Sequence, residues 1–195
     1  MLFLGVLFGL YTAAVVYALG SFLEERFPHE ETPFYTAFFS SAGVEEAVKF
    51  LFLFFLIWGN RNFNEPLDGI VYGVFVSLGF AWAGNVISVT HPILGGYETA
   101  FARALLSVPG HGLFGVRMGY YFALGKYRSR KRYLPLAFFS PYLAHALYNY
   151  FLLKREPVFW LFFSVLEARL WVFGLKRIKE LQNCSPFREK VSKES

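Results

Sequence analysis

Six apolar runs, at residues 2–23, 34–58, 67–90, 99–124, 133–153 and 157–175, take up most of this 195-residue chain. At about 1.5 Å of rise per residue, each is long enough for the roughly 30 Å hydrocarbon core of a bilayer. Hydrophobic residues make up 55% of the chain and phenylalanine alone occurs 25 times, too apolar a composition for a soluble domain of this length. The expected fold is therefore all-α, a polytopic bundle of about six transmembrane helices. It forms one domain over residues 1–181, followed by a polar tail from 182 to 195. No basic segment or small-residue cleavage site accompanies residues 2–23, which are expected to be a retained helix and not a signal peptide.

The basic residues give an orientation. Lys126, Arg128, Arg130, Lys131 and Arg132 follow the fourth run, and Lys176, Arg177 and Lys179 follow the sixth. Glu24, Glu25, Glu30 and Glu31 against Arg26 follow the first run, Glu98 follows the third, and Lys154 and Arg155 are a minority pointing the other way. The positive-inside rule then places both termini in the cytoplasm of a multi-pass cell-membrane protein. The net charge of +5 reflects this topology. Its expected partner is anionic membrane lipid and not nucleic acid. Cys184, the sole cysteine, excludes an intramolecular disulfide and a thiolate metal cluster. Trp58, Tyr97, Tyr120, Tyr121, Tyr133 and Trp160 read as interfacial anchors.

Ionisable groups inside apolar runs cost about 2.5–3.5 kcal/mol each at the bilayer centre, so they must face protein or water and are functional candidates. The second run carries Glu45, Glu46 and Lys49. Glu45 and Lys49, four apart, form the better helical pair, Glu46 and Lys49 are also in reach, and one carboxylate is left over for acid–base work. The third run has Asp68 near a helix start, where capping explains it as well as function does, and a deeper Asn85. Gly69 with Gly73, and Gly115 with Gly119, are close-packing steps. Arg103, Ser107, His111 and Gly115 recur at four-residue spacing, which predicts one face with His111 near mid-membrane. His145 and Asn149 share a face and suit oxyanion stabilisation, while His145 could equally ligate a metal. Glu167 and Arg169, two apart, cannot pair with each other and read as structural.

Glu45-Glu46-x-x-Lys49, Asp68-Gly69, Gly79-Phe80, Asn85, His111 and His145-x-x-x-Asn149, in order over about Ser40 to Tyr150, resemble the PrsW family of intramembrane proteases, distant relatives of the CAAX prenyl-proteases. The resemblance implies a membrane-embedded peptidase that cuts in or next to the bilayer, on a single-pass regulatory protein such as an anti-sigma factor, as a site-1 protease does. It assigns Glu45, Glu46, His111 and His145 as catalytic, with Lys49, Asn85 and Asn149 in support. By analogy with the prenyl-proteases, Glu45 activates water while Glu46 and Lys49 hold the site. Family members show a glutamate where this chain has Gly84. A metal-free glutamate mechanism and a zinc site drawn from Glu45, Glu46, His111 and His145 both stay open, since no His-Glu-x-x-His helix forces the metal. Two alternatives are a catalytically impaired substrate-binding relative, suggested by Gly84, and a small proton-coupled transporter.

Overall fold

The computed structural model describes residues 32–90, 101 and 103–187, together with the helical residues Tyr11, Ala14, Val15, Ala18 and Phe22; at 87, 88 and 90 the backbone alone is described. Most of the expected first span, and Tyr97 and Glu98, lie outside the described residues. Among those described there are helices and no strands. We label them α1 (residues 33–57), α2 (Pro66–Thr90), α3 (Ser107–Tyr127), α4 (Arg130–Lys154) and α5 (Pro157–Asn183).

Local chemistry sets the helix starts. Thr32 caps α1 by accepting the Tyr35 N–H at 3.2 Å, with Pro33 in the first turn, where no intrahelical donor is needed. Asp68 accepts the backbone N–H groups of Asn64 and Glu65 at 2.9 and 3.0 Å, so its role is the capping one. α1 is not uniform: Thr36–Gly43 and Leu53–Ile57 are π-helical, and the α-helical stretch Val44–Phe52 between them carries the acid pair. Wide i→i+5 turns are rare and concentrate at functional sites.

The fourth run departs from expectation. Its helix is interrupted at Leu106, and α3 begins at Ser107. Pro109, which lacks an N–H, falls in the first turn of α3, where no intrahelical donor is needed, and the Tyr148 hydroxyl donates to the Leu106 carbonyl at 2.8 Å. The stretch from Arg103 to His111 therefore crosses an interruption at one residue. α4 ends at Arg155, which takes a left-handed φ of 55°, and Pro157 starts α5 directly. α5 runs eight residues beyond the expected end, and Ser185 Oγ then donates to Glu65.

α3 is the central helix, packed by α2, α4 and α5. Its seam with α2 is built from glycines. A Cβ on Gly69 or Gly73 would lie 2.6 or 2.4 Å from the carbonyl oxygens of Gly119 or Gly115. A Cβ on Gly119 would lie 2.1 Å from that of Gly69. Only hydrogen fits at these crossings, so the two backbones touch. One turn beyond Gly115 the same seam delivers His111 against Phe80, ring centroids 5.5 Å apart.

Polarity is inverted relative to a water-soluble protein. Glu46, Lys49, His111 and His145 are buried, while Phe55, Leu161, Val172 and Leu175 are exposed. Such an outside suits lipid. Among the described residues, two helices, Pro66–Val86 and Pro157–Asn183, are by length and composition long and apolar enough to cross a membrane. Tyr120 is a correction: expected at the interface, it is buried, with its hydroxyl on Glu180 at 3.3 Å, because α5 continues past it.

Candidate active site

Four helices bring Glu45, Glu46 and Lys49 from α1, Phe80 from α2, His111 and Phe114 from α3, and His145 and Asn149 from α4 to one place. Glu46 and Lys49 are fully buried. Their ion pair is 2.7 Å long, whereas Lys49 stands 3.8 Å from Glu45. The i,i+3 pair thus wins over the i,i+4 pair that helix geometry favours by only about 0.2–0.5 kcal/mol. The same Glu46 oxygen that binds Lys49 also accepts from His145 Nδ1 at 2.9 Å, a partner from another helix that outweighs this preference.

These contacts orient both imidazoles. Glu46 accepts from His145 Nδ1, which leaves the Nε2 lone pair of His145 turned to Glu45 Oε2, 4.0 Å away. The His145 ring also stacks on Phe114 at 4.6 Å. Lys49 Nζ lies 3.0 Å from His111 Nδ1, and His111 Nε2 faces the same Glu45 oxygen at 3.8 Å. With Lys49 charged, the ring proton of His111 is assigned to Nε2. Lys49 sits over the Phe80 ring at 4.6 Å, which covers its remaining face.

Glu45 is held differently. Its Oε1 accepts from Ser41 Oγ at 3.2 Å, and Ser41 in turn accepts from Asn149 Nδ2 at 2.9 Å. Its Oε2 is buried without a hydrogen-bond partner between the two Nε2 atoms. Ser41 was not singled out in the sequence, although it stands one turn before Glu45. Asn149 spends an amide hydrogen on Ser41 and so supports the carboxylate. Asn85, expected among the supporting residues, has a buried Oδ1 with no hydrogen-bond partner among the described residues.

The donor set suits a divalent metal. Glu45, His111 and His145 each present one ligand atom, all within 4.8 Å of one another, and Glu45 Oε2 is a buried, unsatisfied acceptor among them. Three N/O donors with a position left over is the pattern of catalytic zinc, and the Glu46 contact supplies the outer-shell carboxylate such a histidine requires. Coordination through His111 Nε2 requires its ring proton on Nδ1, donating to a neutral Lys49 amine. Glu46, turned to Lys49 and His145, stands behind the donor set.

Residues 1–173 match the sequence model described as PrsW family intramembrane metalloprotease. The chain belongs to the PrsW family. It is 40% identical over 152 residues to the protease PrsW of Geobacillus kaustophilus, an alignment covering 76% of this chain and 65% of that protein, just under two thirds of its length. It is 38% identical over 181 residues to protease PrsW of Oceanobacillus iheyensis, covering 92% and 80%, and 36% identical over 154 residues to that of Bacillus subtilis, covering 77% and 68%. No solved structure matches.

Gly84 is where this PrsW-family chain lacks an expected glutamate. A Cβ there would lie 3.1 Å from Nη2 of Arg103. A carboxylate at this position would meet that guanidinium.

Proposed function

We propose that this PrsW-family chain is an intramembrane peptidase in which Glu45 Oε2 activates water for attack on a peptide bond in or next to the membrane. The observation that carries this reading is the unsatisfied Glu45 oxygen held between two histidine Nε2 atoms at 3.8 and 4.0 Å. A water seated there donates one hydrogen to Glu45 and the other to His145 Nε2, and accepts from His111 Nε2–H. Glu45 takes the proton as the water oxygen attacks the carbonyl carbon. His111 Nε2–H, fixed by Lys49, then donates to the developing oxyanion, and protonated Glu45 returns its proton to the leaving amine. Glu46, Ser41 and Asn149 hold these groups in place. When a metal is bound, Glu45, His111 and His145 hold it, and it supplies Lewis-acid polarisation at the same point.

The chain is read as one domain over residues 1–181, with six spans, both termini in the cytoplasm and multi-pass insertion in the cell membrane. The charge asymmetry and the apolar outer surface support that reading. The substrate class is a single-pass membrane protein, with an anti-sigma-type regulator as the example that the family resemblance implies. The test is co-expression with candidate single-pass proteins and detection of a new fragment, with metal analysis of the purified enzyme. Glu45→Gln should abolish the fragment while the protein stays folded and binds substrate. Substantial cleavage by Glu45→Gln would remove Glu45 from the role. Full activity at no bound metal would leave the water-only route.

A further inference from the structure

On the side of α4 away from α1, a groove of about 1010 Å³ runs between α4 and α5 with α3 as its floor. Its walls are apolar, formed by residues such as Leu143, Leu147, Phe162 and Val165, and one half is lined by Arg117, Arg169, Lys176 and Arg177. Arg117 is pinned there: its Nε donates to Ser140 Oγ at 2.5 Å and its guanidinium lies 4.6 Å from the Phe173 ring. Arg177 stacks on the same ring at 5.3 Å. Of these four, only Arg177 has a carboxylate of a described residue in ion-pair distance, that of Glu180. Its Nε is buried with no partner. Among the described residues, no carboxylate lies in ion-pair distance of Arg117, Arg169 or Lys176.

Position along α5 says what kind of anion these basic groups suit. Arg169 lies twelve residues after Pro157, about 18 Å along the helix, and Lys176 and Arg177 lie about 30 Å along it. With Pro157 at one edge of the hydrocarbon, Lys176 and Arg177 reach the other, at headgroup depth. Arg169 and the pinned Arg117 stay below that level, where a guanidinium charge calls for a polar or anionic partner. An anion that comes in from the headgroup layer with an apolar tail satisfies both halves of the groove. The groove stands at the large end of small-molecule sites, which run to about 1000 Å³, so it is sized for a chain and not for a bare ion.

We propose that this groove binds one anionic phospholipid, its phosphate on Lys176 and Arg177 with Arg117 and Arg169 beneath, and an acyl chain along Leu143, Leu147 and Phe162. Basic pockets between transmembrane helices take such headgroups. The site is separate from the Glu45 cluster and does not depend on peptidase activity.

The test uses the full chain in neutral detergent, titrated with phosphatidylglycerol, phosphatidylcholine of the same acyl chains, and inorganic phosphate. Bound lipid is read by native mass spectrometry and stabilisation by melting. Phosphatidylglycerol should bind and raise the melting midpoint, and the other two should do neither. Arg169→Gln and Lys176→Gln, both exposed and outside the packed core, should each weaken phosphatidylglycerol by about tenfold, the loss of one charge-assisted contact. Lys131→Gln with Arg132→Gln, equally basic but outside the groove, should leave binding unchanged. Equal binding of the two lipids, or parental affinity in both groove variants, would overturn the site. Phosphate alone reproducing the stabilisation would make it a small-anion site and refute the lipid. A photocrosslinker at Val172 that captured residues 2–23 of the same chain would show the groove filled from within, and would also refute it.

Discussion

Replacing Lys49 by methionine tests whether the buried cluster is electrostatically closed. Lys49 and Glu46 have no solvent exposure and share a 2.7 Å ion pair. Methionine keeps most of the volume over Phe80 but leaves the Glu46 charge with His145 as its sole remaining partner among the described residues. Breaking one side of a fully buried pair costs about 3–5 kcal/mol, because the surviving charge is uncompensated. The His111 contact at 3.0 Å is lost as well. Adding Glu46→Gln removes that stranded charge, and the glutamine carbonyl still accepts from His145 Nδ1. The double variant should therefore regain about 2 kcal/mol or more of the loss, a coupling of the size seen between contacting residues. Unfolding in mixed micelles, followed by tryptophan fluorescence and circular dichroism, measures both. A single variant that loses less than about 1 kcal/mol, the range of a solvated surface pair, or a double variant no better than the single, would refute the closed, water-free pair.

Three further outcomes are expected. Ser41→Ala frees Glu45 Oε1 and strands the Asn149 amide, so cleavage should slow by about tenfold with a stability loss of about 1 kcal/mol; activity assays on purified protein check it. Gly119→Ala drives a methyl group into the Gly69 carbonyl 2.1 Å away. It should cost about 1–3 kcal/mol by overpacking and depress activity through the displaced seam that carries His111, read as a lowered melting midpoint with slowed cleavage. Gly84→Glu should fold, and its carboxylate should pair with Arg103; a double-mutant cycle with Arg103→Gln that showed no coupling in melting would disprove the pairing.

α1, α2, α4 and α5 were legible because their runs are long, apolar and closely bounded, and the cluster was legible because its ionisable members sit inside such runs, where each must face protein or water. The interruption at Leu106 was not. It turns on Pro109 and on a hydroxyl from Tyr148, 42 residues away in sequence. The choice of Glu46 over Glu45 as the partner of Lys49 was open for the same reason, since His145 on another helix decides it. Tyr120 was misplaced because the sixth apolar run ends at Leu175 while the helix itself continues to Asn183 and covers it. Ser41 escaped notice as a small polar residue whose value lies wholly in what it touches, Glu45 on one side and Asn149 on the other.

The two π-helical stretches of α1 put its tolerance for changes of length in particular places. An i→i+5 turn can lose a residue by tightening to i→i+4, so a single deletion within Thr36–Gly43 has an ordinary helix to relax into. The same deletion between Glu46 and Lys49 has no such outlet and turns the lysine by about 100° away from its carboxylate. Slack lies on both sides of Val44–Phe52, and none lies within it.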